Sequence, residues 1–131
     1  MVTGADTEAA VVDVLTTFCT AFEQRDGDGV LRLLVPDSDT TIVTSEDALL
    51  RGLNEIRAFI ERYVAGPTTY SWSWDRIQVS SSGAVAWLLA TGSETAETAD
   101  SRAVHEYRMS MVLERRGDHW LLLQVHGSSP H

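Results

Sequence analysis

Polar side chains near the carboxyl end of the chain have the types and spacing that acid–base chemistry needs. Glu106, Arg108 and Ser110 recur at every second position, and Gln124 and His126 do so further on. Side chains two residues apart on a strand share one face of the sheet. Because histidine titrates near neutral pH and arginine binds anions in a fixed geometry, we predict His126 as a proton shuttle and Arg108 or Gln124 as the group that orients a substrate. A buried, hydrogen-bonded histidine and an arginine paired with Glu106 are the structural alternatives.

Aromatic residues form a second candidate set, because large flat rings stack on apolar ligands. Together with a few polar groups they would line an apolar pocket of the kind that binds small molecules. Packing in the core, or at a contact between two copies of the chain, is the structural alternative. The predicted pocket residues are Phe18, Phe22, Tyr63, Trp74, Trp87, Glu106, Ser110, Trp120 and Gln124.

Other residues argue against several kinds of site. The single cysteine, Cys19, excludes an intrachain disulfide, and no histidine can be placed beside it to make it a nucleophile. The histidines at positions 105, 119, 126 and 131 do not have the spacing of metal ligands, and the sequence contains no phosphate-binding loop. We therefore predict neither a metal nor any other cofactor.

The composition is that of an ordinary globular domain. Of the 131 residues, 44% are hydrophobic and 22% are charged, and the net charge is −9. We expect a single domain over residues 1–131, no membrane span, and no nucleic-acid binding, because phosphate contacts need clustered basic residues. All ten basic residues are arginine, which favours a GC-rich bacterial genome. An acidic amino terminus without a leader pattern, together with the single cysteine, predicts a cytoplasmic protein.

Apolar residues recur at helical spacing in the first half of the chain. The first predicted helix is capped by Asp6 or Thr7 and ends near residue 24. A short second helix, capped by Asp28, reaches residue 34, and a third covers residues 53–64. The buried face of the first helix is predicted to consist of Val11, Leu15, Phe18 and Phe22.

The second half of the chain changes to the two-residue alternation of strands. Helices followed by antiparallel strands predict an α+β fold, and the acidic, threonine-rich residues 94–100 are predicted to form a mobile loop. The predicted strands cover residues 69–79, 84–91, 102–115 and 120–128. On the last strand the face expected to line the pocket consists of Trp120, Leu122, Gln124, His126 and Ser128, and the opposite face consists of Leu121, Leu123, Val125 and Gly127.

Some of these strands are apolar on both faces. Residues 84–90 are all apolar, and residues 109–113 are apolar except for Ser110. One layer of helices covers only one face of a sheet, so the other face needs a partner. We therefore expect a homodimer in which the two sheets pack face to face, with a small hydrophobic molecule as the possible ligand.

Several motifs taken together resemble the SnoaL-like domains of the nuclear transport factor 2-like, or ketosteroid isomerase-like, superfamily. Residues 120–130, with the sequence WLLLQVHGSSP, are similar to the closing strand of those domains. Residues 28–31, 51–56, 83–87 and 108–113 are similar to the starts of two helices and to two earlier strands. The resemblance implies a cystatin-like fold, in which a strongly curved antiparallel sheet forms a cone-shaped roll on about three N-terminal helices.

The resemblance also bears on the chemistry. In the steroid isomerases of the superfamily a tyrosine of the first helix donates to a developing oxyanion, and Phe18 occupies that position here. The general-base aspartate of those enzymes falls near Val43 or Thr44, so their mechanism is not expected. Two functions stay open. One is a cofactor-independent isomerase, cyclase or hydrolase that acts on a small hydrophobic molecule by acid–base chemistry. The other is a non-catalytic domain for ligand binding or dimeric assembly.

Overall fold

Three helices are followed by a run of long strands, which confirms the predicted α+β class. The computed structural model describes residues 4–45 and 48–130. In chain order the elements are α1 (Ala5–Glu23), α2 (Gly27–Leu31), β1 (Thr41–Val43), β2 (Leu49–Arg51), α3 (Gly52–Ala65), β3 (Thr69–Ser82), β4 (Val85–Glu97), β5 (Arg102–Arg116) and β6 (His119–Ser128).

The strands of the described chain form one sheet in the order β2-β1-β6-β5-β4-β3. The four long strands pair with their neighbours along the chain in antiparallel fashion, as the short turns between them require. β1 instead lies parallel to β6, with Ile42 opposite Val125, so the sheet is mostly antiparallel. Helix α1 packs across β3 and β6. We call the face covered by the helices the inner face and the opposite face the outer face.

The predictions for the first and second helices need correction at their ends. The residue before α1 is Gly4 rather than Asp6 or Thr7, and it provides no side-chain cap. The cap of α2 is Asp26, whose carboxylate accepts a hydrogen bond from the backbone N–H of Gly29 at 3.0 Å. Helix α2 ends at Leu31 rather than near residue 34, because the backbone around Leu34 forms a bridge to β6.

Strand β4 is longer than the sequence predicts, and the mobile loop expected at residues 94–100 is wrong. The strand continues to Glu97, and only residues 98–101 connect it to β5. The extra residues pair on both sides, so that Glu94 lies opposite Trp72 of β3 and opposite His105 of β5. The ladder bonds to two neighbours outweigh the polar composition of this stretch, which had favoured a loop.

A β-bulge in β6 decides which of its residues face the helices. Val112 of β5 pairs with Gln124, but the next residue, Leu113, pairs with Leu122, so Leu123 is an extra residue on β6. A bulge of one residue shifts the alternation, and the side chains that follow it change faces. The buried residues of β6 are therefore Trp120 and Leu122 before the bulge and Val125 and Gly127 after it.

The core lies between the inner face and the helices. The predicted buried face of α1 is confirmed, since Val11, Leu15, Phe18 and Phe22 are all buried. The strands contribute alternate residues, among them Ala86, Leu88, Ala90, Met109, Met111, Leu113 and Leu122. Within the described residues, no helix is long and apolar enough to cross a membrane.

Arg25 connects the carboxyl ends of α1 and α3. It lies just after α1, and its backbone is in the left-handed region, with φ of 58°. Its guanidinium lies over the Tyr63 ring, 5.3 Å from the ring centre. A cation at the carboxyl end of a helix is favourable because the last carbonyl groups have no partner within the helix. The guanidinium donates to the carbonyl oxygens of Tyr63, Val64, Gly66 and Thr68 and to the hydroxyl of Thr69.

Candidate functional site

A cavity of about 80 Å³ lies between the helices and the inner face of the sheet. Helices α1 and α3 form one side, the long strands form the other, and the residues after β1 form part of the rim. The described residues that line it are Phe18, Phe22, Ile42, Val43, Thr44, Ser45, Phe59, Tyr63, Tyr70, Trp72, Glu94, Tyr107, Met109, Val125 and Gly127. Most of these are apolar or aromatic, so the polar groups among them stand out.

Aromatic rings form a continuous wall on one side of the cavity. Phe22 of α1 is its centre, with ring centroids 4.9 Å from Phe18, 5.3 Å from Tyr63 and 5.9 Å from Trp72. The Phe22 and Trp72 rings meet edge to face at 87°, an arrangement that places a positive ring edge on a negative ring face. The wall continues from Trp72 to Tyr107, whose centroid is 6.3 Å away.

A buried carboxylate belongs to the same wall. The side chain of Glu94 is only 5% exposed, which is rare for glutamate. Its Oε2 accepts a hydrogen bond from the indole N–H of Trp72 at 2.9 Å, and its Oε1 lies 3.0 Å from Nε2 of His105. The side chain of His105 is 42% exposed, so this pair connects the cavity wall with solvent. A carboxylate and an imidazole in hydrogen-bond contact are groups that can transfer a proton.

The pairing of three strands creates this arrangement. Trp72, Glu94 and His105 occupy directly opposed positions on β3, β4 and β5. Opposed residues of neighbouring strands point to the same face, so all three side chains lie on the inner face. Near the same end, β3 carries an irregularity between Trp74 and Arg76, and Gly92 faces it. A Cβ added at Gly92 would lie 2.0 Å from the carbonyl oxygen of Ser73.

Tyr63 is held by two hydrogen bonds at the edge of the cavity. Its hydroxyl donates to the carbonyl oxygen of Phe22 at 2.9 Å and accepts from the backbone N–H of Tyr70 at 3.0 Å. Burial raises the pKa of this phenol, and the carboxylates of Glu23 and Glu94 raise it further against the opposing effects of the Tyr70 hydrogen bond and Arg25. Tyr63 therefore stays protonated and acts as a fixed part of the wall.

Gly127 makes room for Tyr107. A Cβ added at Gly127 would lie 2.0 Å from the Tyr107 hydroxyl oxygen. Tyr107 is buried and also contacts His105, with ring centroids 6.4 Å apart. The absence of a side chain at position 127 therefore sets where the Tyr107 ring lies in the cavity.

The structure brings only part of the predicted pocket together. Phe18, Phe22 and Tyr63 line the cavity. Trp74 is half-buried beside it and packs on Tyr107 with centroids 6.5 Å apart, and Trp120 is buried in the core with Arg115 over its ring. These two residues contribute to packing rather than to the cavity lining.

The remaining predicted residues lie on the outer face, and the prediction of their orientation is wrong. His126 and Gln124 are exposed because the bulge at Leu123 turns them away from the helices. On β5 the buried residues are Tyr107, Met109 and Met111, so the polar residues between them point outward. The residues on the outer face are Trp87, Glu106, Arg108, Ser110, Gln124 and His126.

Glu94 and His105 are absent from the predicted site residues, although the sequence contains a signal for Glu94. Ala86, Leu88 and Ala90 are buried, and continuing their two-residue alternation along β4 leads to Gly92 and Glu94. The family resemblance located the cavity correctly but did not identify the groups that could do chemistry in it. Phe18, Val43 and Thr44 all line the cavity, and none of the three carries an acid or a base.

Cys19 and the histidines add no further site within the described residues. Cys19 is half-buried, and burial raises the pKa of its thiol to about 11 despite a hydrogen bond with Trp74. In residues 4–45 and 48–130, no three His, Cys, Asp or Glu side chains come together as metal ligands would. His131 lies outside the described residues.

Comparisons with known proteins agree on the fold. Residues 11–131 match the model of the SnoaL-like domain. A proposed dehydratase of the NTF2-like family from Streptomyces avermitilis superposes with a TM-score of 0.87 at 20% identity, over 98% of this chain and 99% of that one. A proposed scytalone dehydratase from Novosphingobium aromaticivorans superposes with a TM-score of 0.82 at 8% identity, over 95% and 85%.

A third structure, an NTF2-like superfamily protein from Salmonella enterica, has a TM-score of 0.85 at 16% identity, over 97% of this chain and 93% of that one. No curated protein sequence matches the chain. At these identities the structures share the fold, and the chemistry has to be argued from the side chains of this chain.

Proposed function

The chain belongs to the SnoaL-like domain family, and on that premise we propose that its cavity is the active site of a cofactor-independent enzyme that transfers a proton on a small apolar molecule. Glu94 is the acid–base group, and His105 is its partner. The observation that carries the proposal is the buried carboxylate in an aromatic wall with an imidazole 3.0 Å away. This is the chemistry that an isomerase, a cyclase or a hydrolase of this kind uses.

The proposed step begins with a ligand bound against the aromatic wall. A Glu94 oxygen accepts a proton from a ligand atom, and the bonding electron pair stays on the ligand. The same carboxyl group then returns the proton to a second ligand atom. His105 donates from Nε2 to Oε1 and holds the carboxylate in position for both transfers. Apolar surroundings strengthen such transfers because they exclude competing water.

Two of the structural relatives are proposed dehydratases, and dehydration also requires a base that removes a proton. The likeness supports proton transfer as the class of reaction. It does not identify the substrate of this chain, because relatives at 20% and 8% sequence identity share only the fold.

The elimination of nitrobenzisoxazole tests the proposal without knowledge of the natural substrate. A base removes the ring C–H proton, and the electron pair of that bond forms the nitrile as the N–O bond breaks. The ring opens to a single coloured product that carries both the nitrile and the phenolate. We expect the wild-type chain to accelerate this reaction above free acetate at the same pH. The Glu94→Gln variant keeps the shape and the hydrogen bond from Trp72 but removes the base. It should lower kcat/KM by about 100-fold or more.

Glu97→Gln is the matched control, because Glu97 lies on the same strand but is exposed. It should leave kcat/KM within about twofold of wild type, in line with an exposed surface change. Circular dichroism melting would establish that both variants fold. Equal rates for wild type and a folded Glu94→Gln variant would contradict the proposal.

A non-catalytic ligand-binding domain is the second candidate. The observation in its favour is that both oxygens of Glu94 already have partners, Trp72 and His105. A carboxylate held in this way can serve as a fixed hydrogen-bond acceptor for a ligand. Saturable binding of nitrobenzisoxazole without any acceleration would favour this candidate over the enzyme.

We also propose that two copies of the chain associate through their outer faces. Val85, Trp87 and Leu89 project outward from β4 and are 39%, 41% and 41% exposed, which is unusual for large apolar side chains in a row. Residues from the neighbouring strands, Val112 and Leu121, extend the apolar surface. A second copy supplies the same surface and can bury both. A cytoplasmic location stays a prediction that rests on the sequence.

Light scattering at micromolar concentration tests the dimer. The wild-type chain should have twice the mass of one copy, and Trp87→Asp should shift it to a monomer, because a charge buried at the centre of an apolar interface has no partner. Asp75→Asn, at an exposed outer-face position away from the patch, is the control and should stay dimeric. A wild-type monomer would refute the association.

A further inference from the structure

We propose that the largely apolar ligand of this cavity also carries a positive charge, in the form of a small alkylated ammonium group, and that the aromatic wall and the carboxylate of Glu94 together select this group. The inference rests on the function proposed above, because it names the chemical class that the same cavity takes. Nothing in the family match or in the names of the structural relatives points to a cation. The composition and geometry of the aromatic wall instead indicate the charge of the ligand.

The wall has the ring content of a cation-binding site. Seven of the described lining residues are aromatic, and the Phe22 ring lies within 6 Å of its neighbours Phe18, Tyr63 and Trp72. Aromatic faces carry negative charge, and quaternary ammonium groups bind in cages of such rings. Trp is the strongest of the rings in this respect. The N–H of Trp72 is held by Glu94 at 2.9 Å, which fixes the orientation of its ring in the wall.

The charge of the wall has one sign. Glu94 lines the cavity, whereas no arginine, lysine or histidine is among the described residues that line it. A negatively charged ligand would therefore be repelled, and a neutral ligand would gain nothing from the charge of the carboxylate. A cationic ligand is attracted by the buried charge and by the ring faces at the same time.

The overall charge of the chain favours the same sign of ligand. With a net charge of −9, the chain raises the concentration of small cations near its surface.

His105 does not replace the cation. It lies on the solvent side of Glu94, contacts only Oε1 among the two carboxylate oxygens, and its side chain is 42% exposed, whereas the ring wall lies on the Trp72 side at Oε2. A neutral imidazole can make this contact by donating from Nε2. The pair therefore accommodates a ligand cation in the cavity, because the second oxygen of the carboxylate faces the ring wall.

Three small molecules of nearly the same shape test the inference by calorimetry at constant ionic strength. Choline carries a trimethylammonium head, dimethylbutanol carries the neutral head in which carbon replaces the nitrogen, and dimethylbutanoate is the anionic counterpart. We expect choline to bind at least about tenfold more tightly than dimethylbutanol, and dimethylbutanoate to bind most weakly. The indole N–H signal of Trp72, assigned by a Trp72→Phe variant, should shift on titration with choline.

Glu94→Gln removes the charge while it keeps the shape of the side chain. In this variant the preference for choline over dimethylbutanol should fall to about threefold or less, because only the rings remain to favour the cation. Glu97→Gln removes one exposed charge of the same strand, and it should keep the full preference. Comparing these two variants separates the effect of the local carboxylate on binding from the effect of the overall charge of the chain.

The possible results distinguish this inference from the proposed function. If dimethylbutanol binds wild type as tightly as choline does, or if neither binds, the cationic ligand is refuted. If Glu94-dependent elimination of nitrobenzisoxazole is then still observed, proton transfer stands. If choline is preferred through Glu94 but no elimination occurs, the cationic ligand stands and proton transfer fails.

Discussion

The two faces of the sheet carry similar side chains with opposite consequences. On the inner face Glu94 is buried against Trp72 and lies 3.0 Å from His105. On the outer face Glu106 and His126 have the same side-chain types but are exposed. The chemistry of a carboxylate and an imidazole depends on low dielectric surroundings and on a fixed partner, and only the inner pair has both. The comparison teaches that the covered face, rather than the residue type, identifies the candidate catalytic pair.

Thiol reactivity should show the largest contrast, between helix α1, which covers the inner face, and the outer face of the sheet. Burial raises the pKa of Cys19 from 9.0 to about 11, so below pH 9 its thiolate fraction is about 100-fold lower than that of an unperturbed thiol. A cysteine introduced on the outer face by Ser128→Cys, in a Cys19→Ala background, should react with iodoacetamide about 100-fold faster than Cys19 at pH 8. Equal rates would show that Cys19 is not protected.

The same shift has a consequence for stability. Because the pKa of the folded thiol lies above the unfolded value of 9.0, the contribution of Cys19 is fully present below pH 9 and is lost as the pH rises towards 11. The difference in unfolding free energy between wild type and Cys19→Ala should therefore shrink over this interval. Urea unfolding at a series of alkaline pH values measures it.

Changing a side chain by one heavy atom should lower the free energy of unfolding on the inner face and have little effect on it on the outer face. Gly127→Ala places a Cβ 2.0 Å from the Tyr107 hydroxyl oxygen and forces the ring to move, which should lower the unfolding free energy by about 1–3 kcal/mol. The neighbouring Ser128→Ala changes an exposed position and should stay within about 0.5 kcal/mol. Urea unfolding of both variants checks this. Similar values would mean that Tyr107 has room to shift freely.

The smallest expected contrast concerns the two histidines. His105→Gln replaces the imidazole that holds Glu94 with a flexible amide donor, so it should lower kcat/KM for nitrobenzisoxazole by about tenfold. His126→Gln should change kcat/KM by less than about twofold, because His126 lies on the outer face. A larger effect of His126→Gln than of His105→Gln would reverse the comparison.

Sequence patterns were sufficient to locate the helices and the long strands, apart from some of their ends. They were also sufficient to identify the residues of α1 that line the cavity. Helical spacing placed Phe18 and Phe22 on the buried face of α1 because a helix has one regular period. The strand side depended on two features that local composition conceals. The polar stretch around Glu94 looks like a loop until its two neighbouring strands are known. The extra residue in β6 lies among Leu121, Leu122 and Leu123, where the apolar run gives no sign of a change in face.

The bulge at Leu123 also has an evolutionary consequence. Deleting this one residue would remove the bulge and leave Val125 and Gly127 facing the helices, because Gln124 would then follow Leu122 directly on the outer face. Regular pairing with Leu123 still present would instead turn Gln124, His126 and Ser128 towards the helices, and an amide, an imidazole and a hydroxyl would enter the cavity without any substitution. A slip of register in the closing strand is therefore a short evolutionary route to new chemistry on an unchanged scaffold.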